Sequence, residues 1–356
     1  MNFARIRAIA ARKFASLRRD HRTFGFIVVM PAIQIVLMGI AIGQTPTGLD
    51  FALVDEGPSG MGASVMGHLA GSESLVLHVD YDSIEAARDA IEAGELWGAL
   101  HVTPNGALEL HLDNSNQQVT NTILIEVRNA MTATLEEQGD ALPLAVAQPV
   151  YGERDPAFID FLAPGIMTLV CFMFSLILTT MAFVGERYDG TLDRVFAAGT
   201  TPAEVLLGHL AAFSTILIGQ VAVVILIATY GFGIPIHGSL LLLFLLALLL
   251  GWAAMCFGLF VSTKARSEFQ AMQLNMPVMF PVMLLSGILW PVQALPGWIQ
   301  PVSWALPSTW TAEAFRSIMI RGWGLEHPGV ATAFAFNLLF ALLALGVASR
   351  TLKVRD

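Results

Sequence analysis

Six apolar runs, at residues 24–43, 161–184, 204–230, 239–261, 271–291 and 330–349, restrict this chain more than any other feature it has. Each is close to or above the about 20 residues that a helix needs to cross the hydrocarbon of a bilayer. With no water there to satisfy the backbone, a continuous run of that length must pair its N–H and C=O groups internally, as a helix does. Composition points the same way, since 55% of the residues are hydrophobic and 13% charged, against roughly 25% charged in soluble domains. The expected fold is a polytopic α-helical membrane protein of six spans, with a small α/β extracytoplasmic domain inserted after the first.

Orientation follows from the basic residues. Arg5, Arg7, Arg12, Lys13, Arg18, Arg19 and Arg22 precede the first span, Arg187 and Arg194 lie between the second and third, Lys264 and Arg266 between the fourth and fifth, and Arg350, Lys353 and Arg355 follow the sixth. The alternate loops hold Arg88, Arg128, Arg154, Arg316 and Arg321. The positive-inside rule then puts both termini and the loop 185–203 in the cytoplasm and residues 45–157 outside. From Asp50 to Asp160 the chain carries 19 acidic residues against three arginines. Such a field either keeps a domain off anionic lipid or attracts cations. Cys171 and Cys256 both fall inside expected spans, so no disulfide framework is indicated.

Within residues 1–23, Phe3, Ile6, Ile9 or Ala10, Phe14 and Leu17 recur every three or four positions. This predicts an amphipathic helix at the cytoplasmic membrane face, with the arginines on its remaining surface. The first transmembrane helix, 24–44, contains Pro31, which bends a helix, and Gln34, which suits a hydrogen bond between helices. In the domain 45–157, strands are expected at 49–55, 74–79, 96–102 and 107–112, with helices at 59–69, 83–95 and 119–138, giving a small α/β layer domain. His78, His101 and His111 fall in those strands without carboxylate or cysteine partners at ligand spacing, so no metal site is expected.

Residues 158–356 form a five-span domain. The loop 185–203 carries Glu186, Arg187, Asp189, Asp193 and Arg194, too much charge for hydrocarbon. It reads as a short helix after Gly190, a break between Gly199 and Pro202, and a new helix capped by Thr201 with Pro202 first. Such a polar elbow is either a solvated turn or a lever for a soluble partner. Thr168, Cys171, Ser175 and Thr179 give the second span one small polar face, for close packing or for lining a path. Met272, Met276, Met279 and Met283 form a stripe on the fifth, which is either a packing seam or a surface for apolar groups of varied shape. Asn275, Pro277 and Pro281 interrupt the same helix. Trp290, Trp298, Trp304, Trp310 and Trp323, with the prolines around them, mark 289–324 as re-entrant or interfacial helices at the outer side, where Glu313 and Arg316 are expected to pair.

The chain's three lysines, Lys13, Lys264 and Lys353, all fall outside a Gly-x-x-x-x-Gly-Lys phosphate loop, and neither a His-Glu-x-x-His motif nor a nucleophile elbow occurs. No acidic residue lies deep in a span. An energy source, where one is needed, belongs to another polypeptide, and nothing indicates nucleic acid.

The run from Gly185 to Leu210 resembles the Glu-x-x-x-Gly-Thr-Leu segment, with a following Pro and Gly, of the type-2 ATP-binding-cassette (ABC) exporter permeases. Residues 285–322 are similar to the Ser-Gly-x-x-x-Pro, Leu-Pro and Ala-x-Arg pattern of that family, in the subgroup with a large extracytoplasmic domain after the first span. The resemblance implies a permease subunit of a bacterial or archaeal cytoplasmic (inner) membrane, pairing with a second copy, most simply as a homodimer, within the lipid bilayer. It also implies two ABC ATPase subunits that hold ATP and Mg, this chain binding no cofactor. The family's coupling helix falls on Glu186, Arg187, Gly190, Thr191, Leu192 and Arg194. One position departs from the pattern: where a lysine often follows the glycine opening the third span, His209 follows Gly208. The expected substrate path is Thr168, Phe172, Ser175 and Thr179 with Met272, Met276, Met279 and Met283, and the expected outer gate is Ser286, Gly287, Trp290 and Pro291. Export of an amphipathic or hydrophobic drug, lipid or natural product is the expected function. The alternatives are export of sodium or another cation, and a ligand-sensing membrane scaffold.

Overall fold

The structure, a computed structural model, describes residues 2–19, 21–42, 46–57, 61–138, 149, 151 and 158–352. The expected boundaries at 44/45 and 157/158, together with Arg154, Lys353 and Arg355, lie outside the described residues. The chain divides into two compact units, one of Met1–Gly43 with Val150–Asp356 and one of Gln44–Pro149.

The first unit opens with α1 (Phe3–Arg19) and α2 (His21–Ile42), which runs through Pro31. The second unit then follows as β1 (Leu49–Asp55), α3 (Met61–Ala70), β2 (Leu75–His78), α4 (Ile84–Glu92), β3 (Gly98–Val102), β4 (Leu108–Leu112) and α5 (Gln117–Gln138). The sheet order is β2-β1-β3-β4, with β1 parallel to β2 and β3, and β4 antiparallel to β3. Alternation along β1 assigns its two faces. Leu49, Phe51 and Leu53 join Val65 and Leu69 of α3 and Ile123 and Val127 of α5, while Ala52 and Val54 meet Ala87 and Ala90 of α4. A central parallel strand covered on both sides is apolar at its centre, which is why β1 reads as a continuous apolar run from Phe51 to Val54. Ser83 caps α4, its hydroxyl accepting from the Ala86 N–H at 3.3 Å.

The remainder of the first unit is helical. It contains α6 (Phe158–Tyr188), α7 (Thr191–Ala197), α8 (Pro202–Leu226) with a π-helical turn at Ile227–Gly231, α9 (Leu240–Lys264), α10 (Glu268–Leu285), α11 (Gln300–Trp304), α12 (Pro307–Met319) and α13 (Pro328–Thr351). Among the described residues, four helices are long and apolar enough to cross a membrane: Ile159–Tyr188, Pro202–Gly231, Leu240–Lys264 and Pro328–Thr351. The expected first span coincides with α2, apolar over Val29–Ile40. The fifth is shorter than its expected 271–291: α10 stops after 18 residues at Leu285. Gly287 takes a left-handed φ of 69° just beyond it, a conformation that suits glycine and stops a helix.

Helix α6 is the post around which this unit packs, meeting α2, α9, α10 and α12. Its small polar face lies against neighbouring helices. Thr168, Cys171, Ser175 and Thr179 are all buried, and the Thr168 and Thr179 hydroxyls donate to carbonyls of their own helix, Pro164 at 2.8 Å and Ser175 at 2.9 Å. Across from them α9 presents Gly258, where a Cβ would lie 2.8 Å from the Leu176 carbonyl oxygen and 3.1 Å from Thr180 Oγ1. Close approach of two backbones needs that glycine. Gly258→Ala should therefore lower the melting temperature of the purified protein, by about 1–3 kcal/mol in free-energy terms. Gly219→Ala, where nothing lies within 4 Å of the added carbon, should be neutral or stabilising by up to about 1 kcal/mol. Equal losses at the two positions would remove the close-packing account.

Candidate functional site

The elbow between α6 and α8 is built by local rules. Gly190 carries a φ of 65° and Gly199 a φ of 76°, so each bend falls where no side chain resists it. The Thr201 hydroxyl accepts from the Glu204 N–H at 3.3 Å, and the Glu204 carboxylate accepts from the Thr201 N–H at 3.0 Å. With Pro202 in the first turn, this is a complete capping box. The start of α1 holds the same bend. The Asn2 N–H donates to Glu204 Oε1 at 2.5 Å, and Arg5 donates to the Gly199 carbonyl and lies 3.8 Å from Glu204 Oε2.

The other bend rests on Glu186. Lys13 Nζ lies 2.5 Å from Oε1, and Arg12 Nη2 and His209 Nε2 each lie 3.0 Å from Oε2. The side chains of His209, Lys13 and Glu186 are 0%, 9% and 12% exposed, so the charges of Lys13 and Glu186 are removed from water and stand only by pairing. His209 Nδ1 lies 2.8 Å from the Val205 carbonyl oxygen, so both ring nitrogens face acceptors. Gly208 permits the approach of α1: a Cβ there would meet Ile9 Cγ2 at 2.6 Å. Arg187 donates to the Ser262 and Ala265 carbonyls at 3.3 and 3.4 Å, satisfying acceptors that the end of α9 leaves open. Leu192 and Phe196 anchor α7 in an apolar cluster with Ile9, Phe183, Val205 and Leu259.

The six expected coupling residues thus divide. Glu186, Arg187 and Leu192 turn inward, Gly190 makes the bend, Thr191 is half-buried, and Arg194 is exposed beside Asp193, Ala197 and Ala198. The expected apolar face of α1 divides between exposed and packed residues. Phe3 and Phe14 are 80% and 41% exposed, whereas Ile9 and Lys13 are buried, because α1 packs on α8 and Glu186 draws the lysine in. Lys13 lies four positions after Ile9 on the same helix face, a signal available in the sequence.

Two cavities border the elbow. One of about 910 Å³ lies between Tyr188, Asp193 and Phe196 on one side and Lys264, Arg266 and Thr351 on the other. A second, of about 700 Å³, has an apolar wall of Phe174, Ile177, Leu178, Met181 and Met272, with Arg12, Lys13, Asp189 and Glu268 at its polar end. The expected path residues Thr168, Phe172, Ser175 and Thr179 line neither. They are buried in helix packing, and the cavity is walled by Phe174, Ile177, Leu178 and Met181 of the same helix. The methionine stripe also divides, with Met272 and Met276 54% and 58% exposed and Met279 and Met283 packed against the core. At the expected outer gate, Ser286 is bonded to Ser308 at 2.5 Å, the Gly287 carbonyl accepts from Arg316, Trp290 is half-buried and Pro291 exposed. Arg316 stacks on Phe161 at 4.7 Å and pairs with Glu313 at 3.7 Å. The expectation that His101 and His111 lack a carboxylate is corrected as well, because strand pairing brings Glu109 between them. His78 pairs apart from them, with Asp50 at 2.9 Å.

Glu186→Gln alone should destabilise the protein by about 3–5 kcal/mol, leaving Lys13 buried without its partner, and Lys13→Met by less, since Arg12 and His209 still face Glu186. The double variant should lose clearly less than the sum of the two. Thermal or denaturant unfolding of all four proteins measures this coupling, and additivity within about 0.5 kcal/mol would show that the pair does not organise the elbow.

The chain is 33% identical over 377 residues to ABC transporter G family member 20 of Dictyostelium discoideum, covering 98% of this chain and 51% of that protein. It is 26% identical over 343 residues to ABC transporter G family member 23 of the same organism, covering 90% and 48%. Against the probable multidrug ABC transporter permease YbhS of Escherichia coli (strain K12) the identity is 22% over 363 residues, covering 96% and 94%. The chain therefore spans about half the length of the two Dictyostelium proteins and nearly all of the Escherichia coli one. A sequence profile described as ABC-2 family transporter protein matches residues 21–350. Matched over almost its whole length, the chain belongs to the ABC-2 family of transporter proteins, the type-2 ABC permeases that its two motifs resemble.

Proposed function

We propose that this chain is the membrane-spanning permease subunit of an ATP-driven exporter, moving an amphipathic or hydrophobic drug, lipid or natural product outward. In this reading α2 and α10 complete the four long apolar helices to six spans in a bacterial or archaeal cytoplasmic membrane. Both termini and the elbow face the cytoplasm, as the basic residues require, and residues 45–157 lie outside. A second copy completes the transporter, and two ABC ATPase subunits supply ATP and Mg.

The bracing of the elbow carries the reading. Helix α7 is anchored by Leu192 and Phe196 and leaves Asp193, Arg194, Ala197 and Ala198 exposed. A load on that free side passes through Glu186 to α1 and α8, and through Arg187 to the end of α9. Helices tied in this way move as one body, which is what a two-state rocking mechanism needs. The cavity beside Tyr188 and Lys264 gives a docked ATPase a concave, charged seat. The substrate class is supported by the 700 Å³ cavity. Its volume falls within the roughly 300–1,000 Å³ of small-molecule sites, and an apolar wall with a charged end suits an amphipathic molecule.

Reconstitution of the permease with its ATPase in proteoliposomes tests this. Arg194→Glu should cut ATP-dependent flux at least about tenfold, equivalent to about 1.4 kcal/mol, while the melting temperature of the permease stays unchanged. Normal flux in that variant would take α7 out of the coupling path. Met272→Trp fills the cavity from α10 and should block flux of a bulky amphipathic dye while basal ATP hydrolysis persists; unimpaired dye flux would separate the cavity from transport. Sodium-dependent ATPase stimulation without dye flux would instead favour a cation exporter, and ligand-altered hydrolysis without any flux a sensor.

A further inference from the structure

We infer that the β3–β4 hairpin carries a three-ligand site for a divalent transition metal of the zinc class, formed by His101, Glu109 and His111. Antiparallel pairing sets His101 directly opposite Glu109 and His111 opposite Ala99. Residues opposite one another share a face, as do residues two apart on one strand, so all three side chains stand together. Their ligand atoms lie within 4.8 Å of one another.

Two ring nitrogens there lack a hydrogen bond. His101 Nδ1 and His111 Nε2 are each 3.9 Å from the same oxygen, Glu109 Oε2, too far for a hydrogen bond. Both nitrogens are buried and without a partner, a costly state for polar atoms removed from water. His101 as a whole is only 7% exposed. Its other nitrogen, Nε2, lies 3.1 Å from Glu56 Oε2. With Nε2 directed at that carboxylate, Nδ1 is the nitrogen of this ring left to face the cluster. A carboxylate behind a histidine is the arrangement that orients metal-ligating imidazoles.

Two imidazoles and one carboxylate form a donor set used for zinc, with a fourth position open to water. Imidazole nitrogen disfavours magnesium and calcium, which prefer oxygen. Zinc–nitrogen bonds of about 2.0–2.1 Å in a tetrahedron set neighbouring donors roughly 3.3 Å apart. Bringing the present separations, 3.9 Å from Glu109 to each histidine and up to 4.8 Å within the set, to that value calls for side-chain rotation at Glu109, 59% exposed, and His111, 29% exposed. Occupancy would fasten β4, the edge strand, to β3.

The test uses the full-length, tag-free protein stripped with chelator and titrated with cobalt(II), then with zinc. Expected is one cobalt per chain with visible ligand-field absorption, displaced stoichiometrically by zinc. Glu109→Gln and His111→Ala alter partly exposed positions of the hairpin and should each weaken binding at least tenfold, with circular dichroism and gel-filtration profile retained. Glu56→Gln should weaken it about 10- to 100-fold. Absence of stoichiometric binding by the wild-type protein, or unchanged affinity in both Glu109→Gln and His111→Ala, would overturn the assignment.

Discussion

One carboxylate ties three helices of the first unit together. Glu186 stands near the end of a 31-residue, mostly apolar helix, where an unpaired charge is costly. It is tolerated because Lys13, Arg12 and His209 all lie within 3.0 Å of it. These partners come from α1 and α8, so pairing Glu186 also decides where those two helices lie against α6. A buried ion cluster of this kind contributes less net stability than its contacts suggest, since desolvation offsets much of the attraction. What it supplies is geometry, because only one relative placement of three helices pairs every charge.

The rest of the elbow repeats this logic with weaker groups. Glu204 closes a capping box on its own helix and at the same time accepts from the Asn2 N–H. Arg187 satisfies two carbonyls at the end of α9. Leu192 and Phe196 then fix α7 by apolar burial, and the side of α7 left exposed is the side on which the proposed ATPase would act. The packing face of α6 completes the picture: with Gly258 admitting α9 against Leu176 and Thr180, the load-bearing helix has little room to yield internally. A stiff post beside a braced elbow converts a local push into tilt rather than into local deformation.

Several features were legible in the residues because they obey short-range rules. The break at Gly199, the cap at Thr201 with Pro202, the start of α7 after Gly190 and the cap of α4 at Ser83 all follow from backbone conformations and caps that neighbouring residues decide. Other features were legible only in part. Helical spacing identified the small face of α6 and the methionine stripe of α10, but periodicity names a face without naming what it meets. Thr168, Ser175 and Thr179 met a neighbouring helix, Met272 and Met276 did not, and the cavity opened instead beside Phe174, Ile177 and Met181. On α1, Lys13 is in register with Ile9, but spacing does not show it to be buried, because a lysine is seldom buried without a partner and Glu186 lies far along the chain.

By itself, the sequence determined the apolar lengths, the helices and strands, their caps and breaks, and membership of the ABC-2 family, all of which are written in neighbouring residues or in motifs. Only the tertiary structure decided that Arg12 meets Glu186 across 174 positions, that Asn2 meets Glu204 across 202, and that His101 and His111 share Glu109. The physical reason is that pairing of charges and ligands depends on distance in space and on how far water is excluded, and neither quantity is encoded in the spacing of residues along a chain.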